Sequence, residues 1–353
     1  MMASRTPVTI RQHDFDAMYQ FAQTMVDLKG NEAYLERLQS ILPETAHIKS
    51  PTSSILMGYD FHLTDDGPKL IEINNNAGGL CMEEDQHWLP QVEMAAMPGA
   101  IEVRLLSMFA KSWQKIAIMD EAIETQFMRF EMEAYANLLR REGRAVVLVS
   151  PEDIEARDEG LFVAGERLDA IYNRHTDFYL DSPEMAHIRH AWLKGTVALN
   201  PYPRSYALIG DKARMVDWWR AGLLESCHLD AATIAQIRTI VPETHLLSEM
   251  DGDVAWKTRN RWVFKPTAKH GGKGVLMGRS VSRSRFDGFE QETTVAQAFV
   301  PASLVEIEGV ALKFDVRLYM HGKQLIGMAG RCWQGQVTNF RAAGSGWVSI
   351  AVS

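Results

Sequence analysis

The chain has 353 residues, 46% hydrophobic and 23% charged, with a formal net charge of −8 at pH 7. That length allows two or three packed units with a full core, and the composition is that of an ordinary globular enzyme. The negative balance and the scatter of Lys and Arg exclude a nucleic-acid scaffold, and Cys81, Cys227 and Cys332 have no CxxC spacing that would suggest a disulfide framework or a zinc site. Met1–Pro7 has no signal-type apolar core and no run of about eighteen apolar residues occurs, so the expectation is a cytoplasmic protein without a membrane partner.

Residues 13–42 carry apolar side chains at three- and four-residue spacing (Phe15, Met18, Phe21, Met25, Leu28), which predicts a helix broken at Gly30 and resumed through Tyr34, Leu35, Leu38 and Leu42. A hairpin follows. Asp60 lies on its first strand, Thr64-Asp-Asp-Gly-Pro68 forms the turn, and Lys69-Leu-Ile-Glu-Ile-Asn74 alternates as the return strand. Glu72 and Asn74 leave the same face, with Leu70 beside them and Ile71 and Ile73 turned to the core. Two carboxylates and an amide oxygen suit a hard cation such as Mg2+. A hairpin with solvated acidic residues is the alternative from spacing alone. The run Asn74-Asn-Asn76 with Ala-Gly-Gly79 is poor strand material and points to a specific task. The acidic stretch Cys81-Met-Glu-Glu-Asp-Gln-His87 favours a solvated or substrate-facing loop over a metal cluster, because consecutive residues point in different directions.

From residue 113 the pattern alternates strand, helix and strand: Lys115–Asp120, a helix with Phe127, Phe130, Met132, Tyr135 and Leu138 ending near Gly143, then Ala145–Val149 and Ala170–Asn173. This predicts a parallel, helix-covered α/β unit, in which ligands sit beyond the carboxyl ends of strands. Arg174, His175 and Asp177 stand at such an end, either as substrate contacts or as a structural Arg–Asp pair closing the strand. Leu208–Lys212 then leads into a helix with Val216, Trp218, Trp219 and Leu223. The strand Arg261–Pro266 meets Thr267-Ala-Lys-His-Gly-Gly-Lys-Gly274 and Val275–Met277. Glycines let backbone N–H groups close over phosphates, although a plain hairpin tip has the same composition. Neither a P-loop nor a dinucleotide fingerprint is present. Lys265 precedes the loop as a fixed cation for an α- or β-phosphate.

The hairpin resembles the magnesium-binding strand pair of ATP-grasp ligases, and Lys313-Phe-Asp-Val-Arg-Leu-Tyr-Met320, with its return through Lys323–Met328 to Arg331, resembles that family's Asp-x-Arg strand. Val337-Thr-Asn-Phe-Arg341 and the glycines up to Gly346 resemble its Thr-Asn segment, with Ala342-Ala343 in place of the usual paired glycine after the basic residue. The resemblance implies an α/β fold with α+β elements, an ATP-grasp fold circularly permuted so that its last piece comes first, with Ser353 close to the N-terminal helices. It implies four segments: 1–112 with the metal hairpin, packing with the C-terminal segment; 113–205 as a substrate domain; 206–300 as a nucleotide subdomain; and 301–353 as the strands completing the site. It implies ATP and two Mg2+ ions, with Mn2+ as a substitute, on Asp60, Glu72 and Asn74. Lys212, Lys265, Gly271, Gly272, Lys273 and Gly274 would face the phosphates. Gln297, Ala298, Phe299 and Val300 would read adenine, and Lys313 and Asp315 would complete the nucleotide site. Arg317, Arg331 and Asn339 would be catalytic, and Asn76, Gly78 and Arg341 would join Arg174, His175 and Asp177 around the substrate. The implied reaction joins a small-molecule carboxylate and an amine, an amino acid or short peptide, through an acyl phosphate, in a chain compatible with a homodimer. A small-molecule kinase and a non-catalytic nucleotide-binding regulator are the alternatives.

Overall fold

A computed structural model describes residues 6–81, 88–90, 94–267, 274–307, 309–336 and 345–353. In chain order its strands are β1 (Val8–Ile10), β2 (Met57–Thr64), β3 (Gly67–Asn74), β4 (Lys115–Met119), β5 (Ala145–Val149), β6 (Glu155–Arg157), β7 (Gly160–Val163), β8 (Glu166–Arg167), β9 (Ala170–Asn173), β10 (Ala198–Asn200), β11 (Thr244–Leu246), β12 (Trp262–Pro266), β13 (Leu276–Met277), β14 (Thr294–Ala298), β15 (Ser303–Ile307), β16 (Val310–His321), β17 (Gln324–Trp333), β18 (Gly346–Val348) and β19 (Ile350–Val352).

The expected parallel unit has the order β10-β9-β4-β5. Its strands are apolar on both faces because helices cover both. Ile116 and Ile118 pack with Tyr135 and Leu139 of the helix Arg129–Arg141, while Ala117 and Met119 pack with Ile188 and Trp192 of the helix Ala186–Lys194. The first helix begins two residues after Phe127, which is left 43% exposed outside it.

A second sheet runs β18-β17-β16-β2-β3, with β15 also on β16. Strands from residues 57–74 and from 303–348 therefore share one sheet. One face is covered by the helix Gln12–Gly30, whose Phe15, Met18, Phe21, Met25 and Leu28 are all buried, as their spacing predicts. Each such side chain contributes about 1.5–3 kcal/mol on burial. Asn31 ends this helix and caps the next, Glu32–Leu38, by accepting the Tyr34 N–H at 2.8 Å; Leu42 lies beyond it. The opposite face of the sheet carries the polar residues described below. A third, antiparallel sheet, β11-β14-β12-β13, has its own small core of Trp262, Phe264, Phe286 and Ala296. β1 lies parallel to β19, with Val8 opposite Ile350, and the Gln12 N–H reaches the Ser353 carbonyl at 2.8 Å. Among the described residues no helix is long and apolar enough to cross a membrane.

Candidate functional site

The site is built on a defect in the β2–β3 hairpin. Asp60 pairs with Glu72, but its neighbour Phe61 pairs with Leu70, so Ile71 is an extra, bulged residue. A bulge inverts the alternation beyond it. Leu70 consequently turns to the core and is fully buried, and Ile71 is only half-buried, while on the unbulged β2 His62 keeps the face of Asp60 by simple alternation. This corrects the expectation that Leu70 shares a face with Glu72. The bulge also aims the Ile71 carbonyl outward, where Lys265 Nζ donates to it at 3.2 Å.

Cross-strand register then assembles the charges. Arg317 on β16 lies opposite Asp60 on β2, and Asp315 on β16 lies opposite Arg331 on β17. Arg317 grips Asp60 in a bidentate pair, Nε to Oδ1 at 2.6 Å and Nη2 to Oδ2 at 2.7 Å. Arg331 grips Asp315 the same way, both bonds 2.7 Å, and places Nη2 2.8 Å from Asp60 Oδ2. Asn74 Nδ2 donates to Asp60 Oδ2 at 3.0 Å and to Glu72 Oε1 at 3.4 Å. Asp60, expected from the resemblance as a metal ligand, is wholly buried and anchored by two guanidinium groups, with one oxygen receiving three donors and the other one.

Burial works against the Asp60 carboxylate, but Arg317 and Arg331 together outweigh it and hold it below the usual carboxylate range. Asp315 has less help: burial pushes it up to about 6, with Arg331 only partly compensating. Lys265 is lowered to about 8 by burial, with nearby Glu72 opposing and Lys212 adding repulsion. Lys212, the buried residue preceding the helix Ala213–Trp219, is thereby placed in the same cluster. Arg317, Arg331, Lys265 and Lys212 thus cluster with Asp60, Glu72 and Asp315, four cationic groups against three carboxylates.

A turn after β3 closes the cluster from the side. The Gly78 carbonyl accepts Arg317 Nη1 at 3.1 Å and the Tyr319 hydroxyl at 2.9 Å. Gly79 has φ +112°, and a Cβ there would lie 2.1 Å from the Trp347 ring, which itself sits under the Arg317 guanidinium at 5.7 Å. Glu131 Oε1 accepts three successive N–H groups, from Gly79, Leu80 and Cys81, at 2.8, 2.9 and 3.1 Å.

Several expected contacts are put to other uses. Arg174 binds the carbonyls of Asn76 and Ala77 at 3.0 and 3.1 Å and lies 3.6 Å from Glu131, so it holds the turn and is not paired with Asp177. Asn76 returns a bond to the Arg174 carbonyl at 2.7 Å, and Asp177 accepts the Ser182 N–H at 2.8 Å. Gln297 accepts Lys265 Nζ at 2.6 Å, so it positions the lysine. The N–H groups of Ala298 and Phe299 are taken by the carbonyls of Glu243 and Arg261, both at 2.7 Å, which removes them as adenine donors; the Val300 carbonyl receives His62 Nδ1–H at 3.1 Å. Lys313 reaches the Gly335 carbonyl. Gly274 forms a turn with φ +79°. Gly271, Gly272, Lys273, Asn339, Arg341 and the acidic loop from Met82 to His87 lie outside the described residues.

Two solved structures resemble the chain over nearly its whole length. A glutathione synthetase-like effector from Globodera pallida, in its apo form, matches 98% of this chain and 89% of its own at a TM-score of 0.58 and 11% identity. A putative gamma-glutamylcysteine synthetase from Methylobacillus flagellatus KT matches 95% of this chain and 86% of its own at 0.52 and 12% identity. The fold is of the ATP-grasp type. No family model matches the sequence, and no curated protein matches it.

Within this ATP-grasp fold, three residues escaped the sequence reading. His62 had a signal, since it lies two residues from Asp60 on one strand; it stacks on Trp333 at 6.2 Å, and burial lowers it to about 4, so it is neutral near pH 7. Glu131 had one too, being an acidic residue on the apolar stripe of its helix beside Tyr135. Trp347 had none, because only the register of β18 on β17 sets it beside the site.

Proposed function

We propose that the protein is an ATP-dependent carboxylate–amine ligase, forming an amide or peptide bond through an acyl phosphate and releasing ADP and phosphate. The observation that carries this reading is the Asp60–Arg317 pair, which joins the hairpin to the Asp-x-Arg strand, with Arg331 on the same carboxylate and Lys265 seated on the adjacent bulge. The order of the pieces is that of a circularly permuted chain, a reading supported by the pairing of β1 with β19.

Lys265 and Lys212 supply fixed positive charge for the α- and β-phosphates. Arg317 and Arg331 offer planar forks to the transferring phosphoryl group, and their carboxylate partners hold those forks in place beforehand. A substrate carboxylate oxygen attacks the γ-phosphorus, ADP leaves, and an amine then displaces phosphate from the acyl carbon. Neither step needs a side-chain nucleophile. Glu72 and the Asn74 amide oxygen, with Asp60 behind them, fit a hard cation: Asn74 already draws both carboxylates together, and all the donors are oxygen. Among the described residues no group of three or more His, Cys, Asp or Glu is arranged to hold a metal; a hard cation takes oxygens from phosphates and water beyond its few protein ligands. Bound Mg2+ would neutralise charge on the phosphates.

The test is ADP release measured with amino acids and short peptides, singly and in pairs, with mass spectrometry of the product. Release that requires both a carboxylate and an amine, with an amide formed, is the expected result. A phosphorylated product formed without an amine would replace the ligase with a kinase.

A further inference from the structure

Beyond the carboxyl ends of β4 and β9 lies a polar group that the phosphate-facing cluster does not use. Asp120 follows β4, and Arg174 and His175 follow β9, the neighbouring strand; the Arg174 N–H donates to the Met119 carbonyl at 2.8 Å. Open parallel sheets leave their binding crevice at this edge. Arg174 is committed to the turn that carries Gly78, and the Gly78 carbonyl binds Arg317. The edge and the phosphate cluster therefore stand on opposite sides of one short turn.

His175 is 5% exposed. Its Nδ1 accepts the Asp177 N–H at 3.0 Å, which leaves the ring proton on Nε2, and Nε2 is buried without a hydrogen-bond partner among the described residues. A buried donor without an acceptor costs about 1–3 kcal/mol, and a ligand oxygen would remove that cost. Asp120 is 8% exposed and accepts the Glu121 N–H at 2.8 Å. Burial raises its carboxyl to about 6, with Arg174, the Glu121 N–H and His175 opposing and the Glu121 carboxylate adding slightly to the rise, so it can exchange a proton near neutral pH.

We propose that Asp120 and His175 receive the amine substrate, Asp120 binding its ammonium and taking one proton, and His175 Nε2–H donating to a carboxylate or carbonyl on the same α-carbon. The ligand class is an α-amino acid or a peptide N-terminus. This assignment rests on the ligase reading. The ammonium gives one proton to the Asp120 carboxylate, leaving a neutral amine and a carboxylic acid. The nitrogen lone pair forms the C–N bond, and the acyl C–O bond breaks with its electron pair departing on phosphate. The remaining extra proton on nitrogen goes to that phosphate, and Asp120 returns its own proton to solvent.

The test pairs a binding measurement with a trapping reaction on the full chain. Calorimetry with the twenty α-amino acids and glycylglycine is expected to find a ligand for the wild type that binds roughly tenfold or more weakly to Asp120→Asn and to His175→Phe. His175→Gln, which keeps an N–H donor, restores part of the loss. Hydroxylamine, uncharged at neutral pH, traps an acyl phosphate without an ammonium site. Asp120→Asn is expected to lower the ratio of amide to hydroxamate formation by about 100-fold or more. In the wild type the acid limb of amide formation should follow Asp120, in the setting of Arg174, His175, Glu121, Asp177 and Glu131, and should be missing from the residual amide formation of Asp120→Asn, the comparison with hydroxamate being made above pH 7, where hydroxylamine is uncharged. No bound member of the panel, equal binding by the variants, or an unchanged ratio overturns the proposal. A wild type that binds an amino acid through Asp120 yet yields no hydroxamate supports the receiving site and removes the ligase reading.

Discussion

Replacing Asp60 and Glu72 with alanine, one at a time, separates two residues that the sequence places in a single role. Asp60 is fully buried and takes two bonds from Arg317, at 2.6 and 2.7 Å, and one from Arg331 at 2.8 Å. In Asp60→Ala, Arg331 keeps Asp315, but Arg317 keeps only the Gly78 carbonyl while remaining 7% exposed. Removing one partner of a buried ion pair costs about 3–5 kcal/mol, because the other charge stays buried. Glu72 is half-buried, with Asn74 at 3.4 Å as its hydrogen-bond partner, so Glu72→Ala should cost about 1 kcal/mol or less. Both variants should lose turnover. Urea unfolding followed by tryptophan fluorescence reads the difference as a large midpoint shift for Asp60→Ala and a small one for Glu72→Ala. Adding Arg317→Met to Asp60→Ala should recover part of the loss, since contacting pairs couple by about 0.5–3 kcal/mol. Equal midpoints for the two single variants, or strict additivity in the double variant, would refute the anchoring role assigned to Asp60.

Two further predictions concern charge and space. Lys265 should lose its charge as pH rises through about 8, so kcat/KM for ATP should fall above that pH and the limb should be missing in Lys265→Met. The stability effect has the opposite sign: the unfolded chain holds this proton to about 10.4 and the folded one only to about 8, so between those values the unfolded state binds more protons and the lysine's contribution rises with pH. Comparing urea midpoints of wild type and Lys265→Met at pH 7 and pH 10 checks it. Gly79→Ala should destabilise by at least about 1–3 kcal/mol, because the new methyl meets the Trp347 ring and the backbone holds φ +112°. It should also raise KM for ATP by displacing the ring beneath Arg317, which steady-state kinetics on the folded variant would show.

Period and composition determined much of this protein before any coordinates. The burial of Phe15, Met18, Phe21, Met25 and Leu28, the strands Ala145–Val149 and Ala170–Asn173, and the hairpin bearing Asp60, Glu72 and Asn74 are local consequences of side-chain spacing. Tertiary structure decided which partner each charge meets. Spacing cannot report the extra residue at Ile71, because a bulge depends on the pairing strand, and that bulge turns Leu70 to the core and leaves the Ile71 carbonyl to Lys265. Nor can it report that Asp60 lies opposite Arg317, 257 residues away, since register follows from how the sheet packs against its helices. Arg174 was legible as a charge at a strand end, but its commitment to the Asn76–Ala77 carbonyls depends on a turn brought in from another sheet. Local periodicity sets which face a side chain leaves by, and only the assembled sheets set what stands opposite it.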